Sequence, residues 1–267
     1  MAKAQGGLGD GLRGKIDGLS FYTMKGVEGT IVRRSSGHTK EKKNSDPKLR
    51  NFKLAGEDFA GRARMSKFLM GALAHQKPMA DYNIAGPLIA LMKPVQELDS
   101  EGDYGARNVK LTAYPHVLKG FSLNNSHPLD TVIRFPVTGS INRETLSAKV
   151  QFPELVPGIN FAPSAKQPYY AFRISLAVVP DIIFNKGLFT ATHPGYPISC
   201  AKSVDSDWFS LQEGSKALEM EVGTVFTPPD TNFTLILTAG ILYGELKALE
   251  HIGQVRHAGS SKVLEVG

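Results

Sequence analysis

The chain has a single cysteine, Cys200, in 267 residues. One cysteine excludes an intramolecular disulfide and a zinc site built from several thiolates, which removes the stapled framework of small secreted domains and fits a reducing compartment. Long apolar runs are missing as well: the longest, residues 174–179 and 235–243, are too short and interrupted to span a bilayer. Residues 1–15, MAKAQGGLGDGLRGK, contain basic side chains but no apolar stretch of the kind a secretory leader needs. These absences lead us to expect a soluble protein made in the cytoplasm, with export by a signal-independent route or release by lysis as the remaining ways out.

Motifs that carry chemistry are equally scarce. There is no HExxH, no paired-histidine spacing and no serine in a nucleophile-elbow context. Gly7-Leu8-Gly9-Asp10-Gly11 resembles a phosphate loop only in its glycines, since it follows no strand and lacks the lysine and hydroxyl pair. Residues 97–103, ELDSEGD, alternate carboxylates before a glycine as a calcium loop does, but position twelve is Asn108 where a bidentate glutamate is required, and a solvated linker is the better reading. His193 and Cys200 lie seven residues apart in a loop and form a conceivable base and nucleophile, weighed against a buried cysteine acting as a small apolar side chain. Asn124 and Asn232 head acceptor triplets for glycosylation, which matter only on a eukaryotic secretory route. The expectation is a protein that is not an enzyme, with no cofactor, no metal and no small-molecule substrate.

What the chain does have is apolar content and a local excess of positive charge. Hydrophobic residues make up 42% of it, enough for one large domain or one domain with an appendage. Residues 1–70 hold 15 Lys and Arg against 7 Asp and Glu, while the whole chain is only +6. Such asymmetry suits docking on an acidic surface: nucleic acid, an anionic membrane or the body of a neighbouring copy.

In chain order, residues 1–13 are glycine-rich and expected to be mobile alone. Residues 14–35 read as a β-hairpin, with Leu19, Phe21 and Thr23 alternating with Ser20, Tyr22 and Met24, then a glycine turn and Thr30, Ile31, Val32, Arg33 and Arg34. A lone two-stranded hairpin is marginal in water, so this one must pack on something. After a charged linker, Asp46 as N-cap and Pro47 at the first position start a helix over residues 47–73, with Leu49, Phe52, Phe59, Ala63, Leu69 and Leu73 as its apolar stripe and Gly56 and Gly61 weakening it. A second, shorter helix is expected from Pro87, kinked or ended near Pro94.

From Asn108 the period becomes two. Residues 146–152, 170–178 and 218–222 alternate as strands with one buried face, and further strands are expected at 109–113, 117–123, 131–137, 208–211, 233–238, 241–246 and 262–266. Residues 153–168 and 194–197, rich in proline, read as long loops. The expected fold is therefore mainly β with α (α+β): an antiparallel β-sandwich body at 104–267, a helical connector at 45–103 of one or two helices, and an N-terminal arm with a β-hairpin at 1–44.

The segments GKIDGLSFY, TIVRRSS, DPKLRNFKLAGEDF and the ending GSSKVLEVG, in this order around a β-rich body, resemble an uncharacterised family from Bacteroidota that is known as a domain of unknown function. The resemblance implies a bacterial origin and supplies no activity or site residues.

Two functional expectations follow. The first is a non-enzymatic structural protein that assembles with itself into a homo-oligomer or filament, its arm docking on the next copy by strand pairing and charge, with Phe21, Tyr22, Ile31 and Val32 as apolar anchors and Arg33 and Arg34 meeting carboxylates such as Glu219 and Glu221. The second is nucleic-acid binding through Lys40, Lys42, Lys43, Lys48 and Arg50. Ligand binding at the proline-rich loops of the sandwich is a third possibility.

Overall fold

The computed structural model describes residues 2–4, 13–24, 29–34, 41, 45–248 and 251–267. It has two compact units, Met1–Lys53 and Leu54–Gly267.

In the first unit, β1 (Ala2–Ala4), β2 (Gly14–Ile16), β3 (Leu19–Tyr22) and β4 (Thr30–Arg34) form one antiparallel sheet in the order β1-β4-β3-β2. The hairpin over residues 14–35 is thus part of a larger sheet, and the expected mobile start contributes the strand Ala2–Ala4, whose backbone pairs with β4. Strand β2 joins β3 through Asp17 and Gly18, both at positive φ (45° and 74°). That is the backbone of a type I′ turn, for which Asp-Gly is a favoured pair, and it sets Ile16 opposite Leu19.

A 3-10 turn, Pro47–Leu49, whose N-cap Asp46 accepts the Lys48 N–H at 2.9 Å, leads into helix α1 (Arg50–Ala72), most of which belongs to the second unit. The buried residues of α1 are Asp58, Gly61, Met65, Ser66, Phe68, Leu69 and Ala72; of the expected stripe Leu69 and Leu73 are buried, while Phe52 and Phe59 are exposed. The reason lies in Gly61. A Cβ there would stand 2.7 Å from the Phe189 ring and 2.9 Å from the Gln96 amide, so the glycine that weakens the isolated helix is what lets its neighbours approach. Helix α2 (Ala85–Glu97) runs through Pro94 and buries Leu88, Met92, Val95 and Gln96.

Both helices share one core with the strands. The main sheet has the order β10 (Lys202–Asp205), β7 (Tyr169–Pro180), β13 (Phe233–Ala248), β14 (His251–Val266), with β11 (Phe209–Ser210) also on β7. A smaller sheet, β12 (Leu218–Gly223), β6 (Ser147–Phe152), β5 (Thr138–Asn142), packs on its face, and β8 (Ile182–Asn185) pairs with β9 (Leu188–Ala191) as a hairpin. All these pairs are antiparallel.

Phe172 of β7 stacks on Phe152 of β6, with ring centroids 4.1 Å apart, and marks the sandwich interior. The alternate residues of β7 face the helical layer, so the strand is buried on both sides rather than one. There Gln76, fully buried, donates to the Arg173 carbonyl at 3.3 Å and accepts from the Ser261 hydroxyl at 3.0 Å; Ser175 and Thr238 share a 2.6 Å hydrogen bond beside it. Gly240 lies under this amide, where a Cβ would come within 2.9 Å of Gln76 Oε1. Residues 233–238 and 241–246 are accordingly one long strand with a small residue at its centre.

Three expected strands are not strands. Residues 109–113 make one bridge, Val109 to Ile182, and then a 3-10 turn, Leu111–Ala113; residues 117–123 begin in the 3-10 turn Pro115–Leu118; residues 131–137 begin in the helical turn Leu129–Val132. Their apolar residues Val109, Leu111, Leu118, Leu123, Val132 and Ile133 are all buried, and burial without extension produces the same composition as a strand.

Asp58 fixes α1 to the segment that follows α2. It accepts N–H bonds from Gly105 and from the Arg107 guanidinium, whose Nε lies at 2.9 Å, in a site where Asp58 is 1% exposed. Removing one member of a buried ion pair strands the other charge. Asp58→Ala is therefore expected to lower the unfolding free energy by about 3–5 kcal/mol, measured by urea denaturation; a loss below about 1 kcal/mol would show that Arg107 finds water instead.

Candidate functional site

Of the residues that sequence chemistry singled out, Cys200, His193, Asp99 and Asn124 have hydrogen-bond partners within the fold, and Gly7 to Gly11 lie outside the described residues. Cys200 is buried, and its thiol faces the Val178 carbonyl at 2.9 Å; burial raises its pKa above the usual 9.0. His193 instead accepts the Gly195 N–H at Nδ1, so the two groups have separate partners. Asp99 of the acidic segment accepts the N–H groups of Gly102 and Asn108, and Glu101 pairs with Lys110. Asn124 is buried and donates to the Met79 and Gly259 carbonyls, and the Ser261 N–H donates to its oxygen. Burial and the neighbouring Asp230 carboxylate push the Tyr196 phenol up, and its hydroxyl donates to Asp230 at 2.7 Å. Among the described residues no group of three or more His, Cys, Asp or Glu is placed to hold a metal ion, and no helix is long and apolar enough to cross a membrane.

The N-terminal sheet presents a different kind of surface. Residues paired in register share a face. Ile16, Leu19 and Arg34 form one row and Gly14, Phe21 and Val32 the next, all on one side. On the other side lie the row Lys15, Ser20 and Arg33 and the pair Tyr22 and Ile31. The expected anchors are thus divided, Phe21 with Val32 and Tyr22 with Ile31, as are Arg34 and Arg33. Ile16 is 52% and Leu19 38% exposed, Phe21 and Val32 are half-buried, Ile31 is buried, and both arginines are exposed. Lys48 and Arg50 are exposed at the start of the helical region, whereas Lys40, Lys42 and Lys43 lie outside the described residues.

The body carries the other notable surface, the outer side of the β12-β6-β5 sheet. Thr138, Gln151 and Glu219 form one row across it and Ser140, Lys149 and Glu221 the next. Extending the same register by two residues places Pro136, Pro153 and Ala217 in a row at one end. Glu219 and Glu221 both lie near Lys149, at 3.3 and 3.7 Å, so the carboxylates expected to meet Arg33 and Arg34 already share one cation. The Lys149 and Gln151 side chains hold the Glu219 pKa below its usual value. Sequence reading missed the proline row, although the prolines opening residues 136 and 153 on facing strands were its signal: a proline has no N–H for the ladder and marks where pairing stops.

Asp181 is the remaining buried acid. Burial pushes its carboxyl above 3.8 against the pull of the Thr112 hydroxyl and amide, the latter at 3.0 Å. A folded pKa above the unfolded one means the native state holds this proton more tightly. The resulting stability is complete below pH 3.8 and is lost as pH rises through the folded value. Asp181→Asn is expected to flatten the pH dependence of unfolding in that window and to stabilise the fold above it; denaturation midpoints measured from pH 3.5 upward check this, and an unchanged slope would contradict it.

Comparison of the chain with protein-family models, with curated proteins and with solved structures gives no match.

Proposed function

We propose that the protein is a non-enzymatic structural subunit that assembles with itself through the N-terminal sheet. The observation that carries this reading is the apolar side of that sheet, where Ile16 and Leu19 stand exposed beside Phe21 and Val32 in a unit too small to bury them itself. The body adds support, because Asp58, Asp181, Tyr196 and Cys200 are each bound into hydrogen bonds within the fold. The charge distribution favours contact between unlike parts: Met1–Lys53 has 12 Lys and Arg against 5 Asp and Glu, and Leu54–Gly267 has 19 against 20. A contact between two different patches is heterologous and closes into a ring or grows into a filament.

The opposite side of the same sheet favours a second reading, nucleic-acid binding, because Lys15 and Arg33 share a row beside Tyr22. Two cations and an aromatic on one face suit a phosphate backbone and a base.

Light scattering separates the two. The full-length chain is expected to show masses that are multiples of 28.9 kDa, and Leu19→Asp with Phe21→Asp to reduce them to the monomer. Lys15→Glu with Arg33→Glu is expected to leave assembly within threefold of the unaltered chain. A monomeric unaltered chain that binds single-stranded nucleic acid with steep salt dependence, lost in Lys15→Glu, would replace the first reading by the second.

A further inference from the structure

Resting on the self-assembly reading, we propose that the surface receiving the N-terminal sheet is the outer face of the β12-β6-β5 sheet on a second copy of the chain, met face to face. Three hollows of about 390, 430 and 230 Å³ lie along this sheet, lined by Pro136, Pro153, Ala217 and Glu219 at one end and by Ser140, Lys149 and Glu221 further along. The end row of Pro136, Pro153 and Ala217 is apolar. Among the described residues Phe135 and Ile159 are also exposed apolar side chains of the body, 54% and 68%. An apolar strip of this kind, bordered by polar rows, matches the apolar strip on the donor sheet.

The two strips also agree in where their charge sits. On the donor, Arg34 closes the row of Ile16 and Leu19. On the acceptor, Glu219 stands one row from the prolines and Glu221 two rows away, and the two carboxylates surround the single cation Lys149. These three side chains together carry one net negative charge. Exposed ion pairs are weak, so Arg34 can take a Glu219 oxygen without breaking a strong bond. Docking donor on donor would instead bring together two units that each carry a large positive excess.

The proline row favours contact through side chains. With no N–H at Pro136 and Pro153, the end row offers side-chain area and no ladder hydrogen bonds, which suits a partner laid over it.

Charge reversal in the full-length chain tests the assignment. Ala217→Glu and Glu219→Arg are surface changes and are each expected to weaken assembly at least tenfold, read as the concentration at which half the mass is monomeric. Arg34→Glu is expected to do the same, and Arg34→Glu combined with Glu219→Arg to regain most of the loss. Circular dichroism of each monomer confirms that the fold persists. If Leu19→Asp abolishes assembly while Ala217→Glu and Glu219→Arg assemble like the unaltered chain, the acceptor is elsewhere and self-assembly stands. If the unaltered chain is monomeric at every concentration, both readings fall.

Discussion

The Gln76 side chain sets the spacing between the helical layer and the main sheet. Its amide reaches the Arg173 carbonyl on β7 and the Ser261 hydroxyl on β14, and Gly240 of the intervening strand β13 lies close beneath it. A buried amide with both ends bonded is stable, whereas one with an end free costs about 1–3 kcal/mol, so the three strands and the helical turn must adopt one mutual position. Ser175 and Thr238 complete the polar patch, and Asn124 ties the Met79 and Gly259 carbonyls together next to it. Apolar burial supplies the bulk of the driving force, but it is tolerant of sliding. The polar patch makes the layers register.

The same trade between intrinsic preference and tertiary contact explains which elements could be read from sequence. Strands β6 and β12 each bury one side against a sandwich partner, so alternation was visible in Ala148, Val150 and Phe152 and in Met220 and Val222. The N-cap at Asp46 followed from local chemistry alone. Strand β7 was recognised but its environment was not, since Ala171, Ser175 and Ala177 look like a solvent side until a helical layer covers them. In α1 the apparent stripe of Phe52 and Phe59 was misleading because the contact surface consists of Gly61 and Asp58, whose value depends on Phe189, Gln96 and Arg107 arriving from distant parts of the chain. The Asp17-Gly18 turn was legible in principle and went unread.

The candidate surface divides in the same way. The apolar residues of the N-terminal sheet were evident, but their separation into two sides depends on a register that places Val32 with Phe21 and Ile31 with Tyr22. The row of Pro136, Pro153 and Ala217 joins residues some 80 positions apart in the chain, and only pairing along β6 brings them side by side. Composition reports how much apolar surface a chain has. Register decides whether it is contiguous.

Cys200 has a consequence of a different kind. Its thiol is enclosed and no second cysteine exists, so the fold neither requires an oxidant to form nor offers a sulfur for linkage between copies. A disulfide between two copies would have to draw on Cys200 itself, which the fold encloses. A cysteine introduced at an exposed position would be the one freely reactive thiol on the molecule, with the native sulfur left in place.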